Sequence, residues 1–492
     1  MADELVDCYL RTIETVYRIL HIPTFRRDYD ALWTSDSEAD TAFLVQLKLV
    51  LALGAISYDE HFSLRTSAVR WVYEAQTWLS EPKFKSRLSI QSLQTEVLLL
   101  LSRELVGVGG DPIWISVGAV LRRAVYMGMH RDPGYLQNGT LFAAEMRRRL
   151  WNTILEIVLQ SSLTSGGPPL ISLDDFDTQP PGNFDDDQLV IEGSIPKPED
   201  DFTQTSIAIA LCKTFSTRLA VTKFLNDLGS RSTYEETLRL DKELSASYKA
   251  LCQTLLRFLS TTDSASSRFE IRVADFVMHR YISALHIPFF SPALHESAYA
   301  FSRKVVVETS LKLWRAVYQS RPTSPAECPT DTAFSDRDDL ARLTRCGSGF
   351  YRTVAIQATL LIAMELKTQL QEEKGLSAVN LRPDLISVPE DAKTWCLQCH
   401  QAGETNVKGY FLLCVVSARI EGLRRGFGED ELSEVLLKAA EDALENCLPI
   451  LEEMSAWGQG GGAESSTHEI SLSTQPEVME DWNFMVSSQP RP

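Results

Sequence analysis

Apolar residues return along this chain every three or four positions. Leu5, Tyr9, Ile13, Val16, Tyr17 and Leu20 form the first such stripe, the spacing that lines one side of a 3.6-residue helix. The stripe predicts a helix that stops at "HIPTF" (21–25), because Pro23 has no N–H to continue the ladder. Trp114, Val117, Leu121, Ala124 and Val125 repeat the pattern and predict a second helix, ended at Gly128 with Pro133 and Gly134 beyond. "AFLVQLKLVLALGAIS" (42–57) is the most apolar stretch. It is short of a membrane span and carries Gln46 and Lys48, so it reads as a buried helix. Further helical runs fall at roughly 203–228, 234–260, 268–287, 293–318, 349–372, 391–402, 407–425 and 431–457. No alternating β-branched run is long enough for a sheet. The fold class expected is all-α.

Polar punctuation divides these runs. Residues 166–201 are rich in Asp, Pro and Gly, residues 319–338 in Ser, Pro and Thr, and 373–390 read as a shorter connection. From about residue 457 the chain turns Gly/Ser-rich and core-poor, the composition of a flexible tail. The expected organisation is a helical domain over 1–456 and an acidic tail over 457–492.

Charge then narrows the partners. The 492 residues carry 48 Lys and Arg against 66 Asp and Glu, a net −18. Tight DNA binding rests on cations that displace counterions from phosphates, so the whole-chain field opposes unaided DNA binding. Nine thinly spread cysteines suggest reduced, buried thiols in an intracellular protein. The acidic start "MADELVDCYL" lacks the features of a signal peptide.

Three stretches invite a chemical reading. "WCLQCH" (395–400) fits the C-x-x-C-H haem-attachment spacing and sets Cys396, Cys399 and His400 on one helical face; buried helical cysteines are the simpler account. "GVGGDP" (107–112) and "CGSGF" (346–350) lack the strand context of phosphate-binding or nucleophile loops. "DDFDT" (174–178) and "NDLGSRSTYE" (226–235) resemble the aspartate-rich and NDxxSxxxE motifs of all-α terpene synthases, which hold magnesium against diphosphate. Thr178 and Tyr234 stand where acids belong, and Glu235 comes one place late. One residue turns a helical side chain by about 100°, an error that octahedral magnesium tolerates poorly. No residue is expected to be catalytic, and no cofactor is expected in this chain.

"RRRLWNTILEIVLQSSLTSGGPP" (147–169) settles between a basic grip and a core helix. Arg147, Arg148 and Arg149 fan over about 200° rather than making one basic face. Leu150, Ile154, Ile157, Val158 and Leu163 supply an apolar side, with Trp151 adjoining it. Glu145 precedes the first turn, a favourable place near a helix N-terminus. Gly166 and Gly167 can end the helix, and Pro168 and Pro169 keep it from resuming. A core helix with solvated or ion-paired arginines is expected.

"LHIPTF" (20–25), "WISVGAVLRRAVYMGMHRDP" (114–133), "RRRLWNTILEIVLQSSLTSGGPPLISLDDFDTQPPGNFDDD" (147–187) and "HRYISALHIPFF" (279–290) occur in this order. Together they resemble the fungal-specific transcription factor domain, the helical middle region of fungal zinc-cluster regulators. The resemblance covers roughly residues 5–320 well and the rest by helical character. A common form of the third motif has Asp and Arg where this chain has Val158 and Leu159, and Arg where it has Gly167. The family usually carries an N-terminal six-cysteine, two-zinc DNA-binding module. Only Cys8 precedes residue 212 here, so that module is expected to be missing, and zinc is expected only if it lies upstream.

The resemblance implies a nuclear regulator of transcription. Its expected partners are other transcription factors or coactivators, in a homo- or heterodimer, with DNA reached indirectly or through the missing module, and no membrane. "QPEVMEDWNFMVSS" (475–488) places Trp482, Phe484 and Met485 beside Glu477, Glu480 and Asp481, which suits a coactivator-binding segment; a terminal helix docked on its own domain is the alternative for that tail. The alternatives for the whole chain are a metal- and diphosphate-dependent all-α enzyme and a helical scaffold without DNA binding.

Overall fold

The N-terminal stripe folds as two helices, α1 (Ala2–Arg11) and α2 (Ile13–Tyr17), rather than one. Arg18 then takes a left-handed conformation (φ 42°) and the chain turns. Pro23 does not simply end a helix, as its sequence position predicts. It sits at the second residue of α3 (Ile22–Thr34), where a missing N–H removes no helical hydrogen bond. This computed structural model describes residues 1–34, 40–81, 88–109, 113–135, 139–191, 193–227, 233–261, 265–318, 338–372 and 381–459.

The apolar run at 42–57 becomes α4 (Thr41–Ile56), capped by the Asp40 carboxylate on the Ala42 N–H at 3.2 Å. It is buried on most sides because α1, α5 (Arg65–Ser80) and α6 (Ile90–Val106) all pack on it. Neither α5 nor α6 is among the helices expected from the sequence, and for α5 there is a physical reason. Its buried residues are Ala68, Val72 and Ala75, so the contact face is made of small side chains that barely register as an apolar stripe. α7 (Ile113–Tyr126) and α8 (Leu141–Ser165) complete the N-terminal half and pack on each other.

Residues 166–201 contain only short 3-10 turns among the described residues, as their composition predicts. The run expected at 203–228 is two helices, α9 (Ser206–Cys212) and α10 (Phe215–Asn226). The second half comprises α11 (Tyr234–Thr261), α12 (Ala265–His286), α13 (Phe290–Ala293), α14 (Ala300–Val317), α15 (Asp339–Cys346), α16 (Phe350–Glu372), α17 (Pro383–Ile386), α18 (Val388–Gln401), α19 (Lys408–Arg425) and α20 (Glu429–Gln459). The stretch expected to connect at 373–390 therefore holds α17 and the start of α18. α12, α14 and α16 pack in succession, and α18 and α19 close on α16.

The described residues contain no strand, and the fold is all-α. Met1–Cys447 forms one compact unit, and Leu448–Pro492 clusters separately. Within the first unit the buried apolar side chains form one cluster from Leu5 to Cys447. No described helix is long and apolar enough to cross a membrane.

Candidate functional site

The three successive arginines of α8 lead into a polar centre that joins most of the motifs singled out in the sequence. The helix begins earlier than the arginines suggest: Thr140 caps it through the Ala143 N–H at 3.2 Å. Glu145 therefore lies in the second turn, buried, and acts as an internal ion-pair partner rather than as a charge beside the helix end. Its carboxylate meets Arg148 at 2.7 Å and accepts from the Gly182 N–H at 2.8 Å.

Each arginine takes a different acceptor, as their fan-like spacing requires. Arg147 donates to the carbonyls of Met127 and Gly128 at 3.1 and 2.9 Å, just past the end of α7. Those carbonyls lack helical partners, and a cation suits that end of the dipole. Arg148 makes a two-pronged contact with Asp132, at 2.9 Å from Nε and 2.7 Å from Nη2. Asp132 also accepts from the Gly134 and Gln179 N–H groups. The Arg148 bonds, working against burial, pull the Asp132 carboxyl down to about 2.

Arg149 is fully buried and reaches Asp186 at 2.6 Å. The same carboxylate oxygen takes Arg18 from the left-handed turn after α2, and the other oxygen accepts from the Ile22 N–H at 2.9 Å. His21 Nε2 bonds the Asp186 carbonyl at 2.9 Å. Glu14 stands behind Arg18 and accepts from Tyr9 Oη at 2.6 Å and from the Leu20 N–H at 2.9 Å. Burial works to raise the Asp186 carboxyl, but the two arginine charges outweigh it and hold it below its ordinary value. For Glu14 burial wins over the Arg18 charge and pushes the carboxyl up to about 7. Glu270, buried on α12 within the field of Arg18, is pushed up to about 8 by the same cause.

A second buried pair lies further along α8. Glu156 meets Arg218 of α10 at 2.7 and 2.8 Å. Gln160 donates to Glu156 and accepts from Tyr17 Oη at 2.9 Å. Val158 and Leu159, standing where the family motif carries Asp and Arg, are in the apolar core. Gly167, at the other departure from that motif, leaves room for Trp114: a Cβ there would lie 2.7 Å from the indole.

This arrangement fixes positions rather than performing chemistry. Asp186, Asp132 and Glu145 tie the 166–201 segment and the turn after α7 to one helix, while Arg18 joins the N-terminal turn to it. Charges of both signs pair with one another, as buried charges require, while the Nε atoms of Arg18, Arg147 and Arg149 stay without acceptors. The expectation of a core helix holds; the arginines, however, are engaged rather than solvated. Arg18, Asp186, Glu156 and Arg218 were missed as a set. For Glu156 and Arg18 the sequence signal was a charged residue flanked by apolar ones, in "TILEIVL" (153–159) and "VYRILH" (16–21); Asp186, between Asp185 and Asp187, carried no such signal.

The other sequence candidates fall apart as sites. Cys396, Cys399 and His400 are buried on α18, and burial pushes the Cys399 thiol up to about 12 and Cys396 well above its ordinary value. His400 Nδ1 bonds the Glu404 carbonyl at 2.7 Å. Asp175 accepts from the Ser172 N–H, Asp177 from the Asp132 N–H, and Asn226 donates to the Ser162 and Gly167 carbonyls. No group of three or more metal-ligating side chains occurs among the described residues. Arg424 and Arg425 share Glu421. Trp482, Phe484 and Met485 lie outside the described residues.

Comparison with known proteins bears out the family resemblance, over a shorter stretch than the roughly 5–320 expected. A family model described as the fungal specific transcription factor domain matches residues 6–273. Transcription factor lepE of Aspergillus flavus is 33% identical over 469 residues, covering 91% of this chain and 55% of that protein. Transcription factor opdR of Penicillium oxalicum is 32% identical, covering 98% of this chain and 62% of its own length. The aspyridones cluster regulator apdR of Emericella nidulans is 27% identical, covering 85% of this chain and 57% of its own length. The chain thus spans between 55% and 62% of these relatives. No solved structure matches it.

Proposed function

The chain belongs to the fungal-specific transcription factor domain family, and from that premise we propose that it is a nuclear regulator of transcription acting through protein–protein contacts. Other transcription factors or coactivators are its partners, in a homo- or heterodimer. DNA is reached through such a partner, or through a zinc-cluster module in a longer protein. The family match over residues 6–273 carries this reading. The engagement of Arg147, Arg148 and Arg149 by internal acceptors supports it, because that basic run is not available to phosphates. We further read residues 1–456 as the regulatory domain and 457–492 as an activation segment whose Trp482, Phe484 and Met485 enter a coactivator groove. By analogy with relatives named as cluster regulators, its targets are the genes of one biosynthetic cluster.

Deleting the gene and measuring transcripts tests the regulatory reading. A coordinated change across one group of neighbouring genes is expected; an unchanged transcriptome, with diphosphate turnover that Asp174→Ala abolishes, would transfer the chain to the enzyme class. The tail is tested by fusing residues 457–492 to an unrelated DNA-binding domain. Reporter activation should follow, and the Trp482→Ala, Phe484→Ala, Met485→Ala triple variant should remove it. Activation by the triple variant at the level of the parent tail would sink that assignment.

A further inference from the structure

Partly buried arginines in this molecule meet carboxylates almost as a rule. Arg11 pairs with Asp339, Arg272 with Asp338, Arg303 with Glu365 and Arg352 with Glu404. Lys367 on α16 and Arg419 on α19 depart from that pattern, as do Arg147 and Arg280, which bond carbonyl oxygens instead. Lys367 and Arg419 are half-buried, and neither has an ion pair or hydrogen bond among the described residues. The Nε of Arg419, like those of Arg18, Arg147 and Arg149, is shielded from solvent without an acceptor.

Topology brings these two cations to one level. The Arg352–Glu404 pair joins the first turn of α16 to the segment after α18, so α16 and α18 run antiparallel. α19 then returns parallel to α16, and the Ile356 side chain lies 3.5 Å from where a Cβ of Gly409 would be. Lys367 is eleven residues beyond Ile356, about three turns and on the same face. Arg419 is ten beyond Gly409, within one residue of the same height. Burial, reinforced by the Arg419 charge, lowers the ammonium of Lys367 from its ordinary value. The nearest acids along each helix are taken elsewhere: Glu365 by Arg303 and Gln369, Glu421 by Arg424 and Arg425.

Two like charges held between packed helices raise the free energy of the fold unless something negative joins them. A planar guanidinium beside an ammonium suits an oxyanion, which accepts two parallel bonds from the first and one from the second. We propose that Lys367 and Arg419 form a binding site for a small oxyanion, a carboxylate or phosphate group, held between α16 and α19. The overall charge of −18 repels anions at long range, so occupancy requires this local pair. The inference is independent of the regulatory reading and stands or falls separately from it.

The test compares the full chain with its Lys367→Gln and Arg419→Gln variants in citrate, in phosphate and in sodium chloride at matched ionic strength. Citrate and phosphate stabilise proteins generally by exclusion from their surfaces, so the difference between wild type and variants is the readout. The wild-type melting temperature is expected to rise by about 2 °C or more beyond that of either variant at saturating anion. The larger excess, with citrate or with phosphate, identifies the source. Without either anion the variants should melt no lower than wild type, because each lacks one of the repelling charges. Equilibrium dialysis with labelled citrate and phosphate gives a measurement that does not depend on melting. One anion should bind per chain, and Arg419→Gln should weaken it about tenfold or more. Equal salt responses in all three proteins, or no stoichiometric binding to wild type, would overturn the proposal.

Discussion

Changing Asp186→Asn removes one charge and exposes the logic of the polar centre. Arg18 and Arg149 are 2% and 0% exposed, and both depend on this carboxylate. Its other oxygen satisfies the Ile22 N–H, a bond that an amide oxygen can keep. The loss is therefore mainly the counter-ion of two buried cations. Breaking a buried pair by removing one partner costs roughly 3–5 kcal/mol. At roughly 1 °C per kcal/mol for a protein of this size, the melting temperature should fall by about 3–5 °C. Circular dichroism on the full chain measures the fall, and protease cleavage within residues 166–201 should quicken with it, because Asp186 anchors that segment. Arg27→Ala serves as the control: its pair with Asp28 is 73% and 41% exposed, so its removal should shift stability by under about 0.5 kcal/mol. Adding Arg149→Met to Asp186→Asn should recover part of the loss, since one of the two repelling cations goes. A fall below about 1 °C for Asp186→Asn, or no recovery in the double variant, would refute the account of a charge-balanced centre.

Stability should also depend on pH through Glu270. Its folded-state value of about 8 lies above the ordinary 4.5, so the folded chain holds this proton more tightly than the unfolded one. The stabilising share is full below pH 4.5 and is lost as pH rises towards 8; Glu270→Gln should flatten the decline in denaturation midpoint between pH 6 and 9, and an unchanged slope would contradict it. Asp132 works in the opposite sense: held at about 2, it contributes stability above its unfolded value near 4 that is lost as pH falls towards 2. Asp132→Asn should therefore narrow the difference in melting temperature between pH 5 and pH 3. Gly167→Ala places a Cβ 2.7 Å from Trp114 and should cost about 1–3 kcal/mol, read as a shift in urea midpoint; no shift would mean that the indole moves aside freely. Cys396 and Cys399, buried with raised thiol values, should resist iodoacetamide at pH 8 until denaturant is added, as counted by mass spectrometry.

The helices most legible in the sequence were those with large apolar side chains at regular spacing. α4, α8 and α12 declare themselves through Leu, Ile, Val and Phe, whereas α5 buries Ala68, Val72 and Ala75 and leaves Tyr73 half exposed. Its packing depends on closeness rather than bulk, which no hydropathy pattern records. Boundaries failed where backbone geometry decides them: Thr12, at φ −115° and ψ −91°, splits what looks like one amphipathic helix into α1 and α2, and Pro23 reads equally as an ending or a beginning. The polar centre was half legible. The three arginines were visible as a run, and the acids of 174–187 as a cluster, but pairing Arg149 with Asp186 needs the fold of the intervening segment. Arg18 and Glu156 look like surface charges in one dimension because helical periodicity tolerates one polar residue per turn.

A run of three arginines would be a poor DNA grip here and is an effective structural device for the same geometric reason. Steps of about 100° send three adjacent side chains to three separate surroundings. Arg147 closes the end of α7, Arg148 the Asp132 turn and Arg149 the 166–201 segment. Three irregular pieces of backbone, which have little apolar surface of their own, are thereby fixed to one helix by charge-assisted bonds. The same requirement explains the buried acids of the centre: Asp186 of the segment and Glu145 of α8 accept from backbone N–H groups as well as from arginine, satisfying donors that would otherwise be stranded against the core. The three arginines are thereby taken up by the fold itself. A charge reversal within the centre would therefore read out as lost stability in a thermal melt, because it leaves buried charges without their counter-ions.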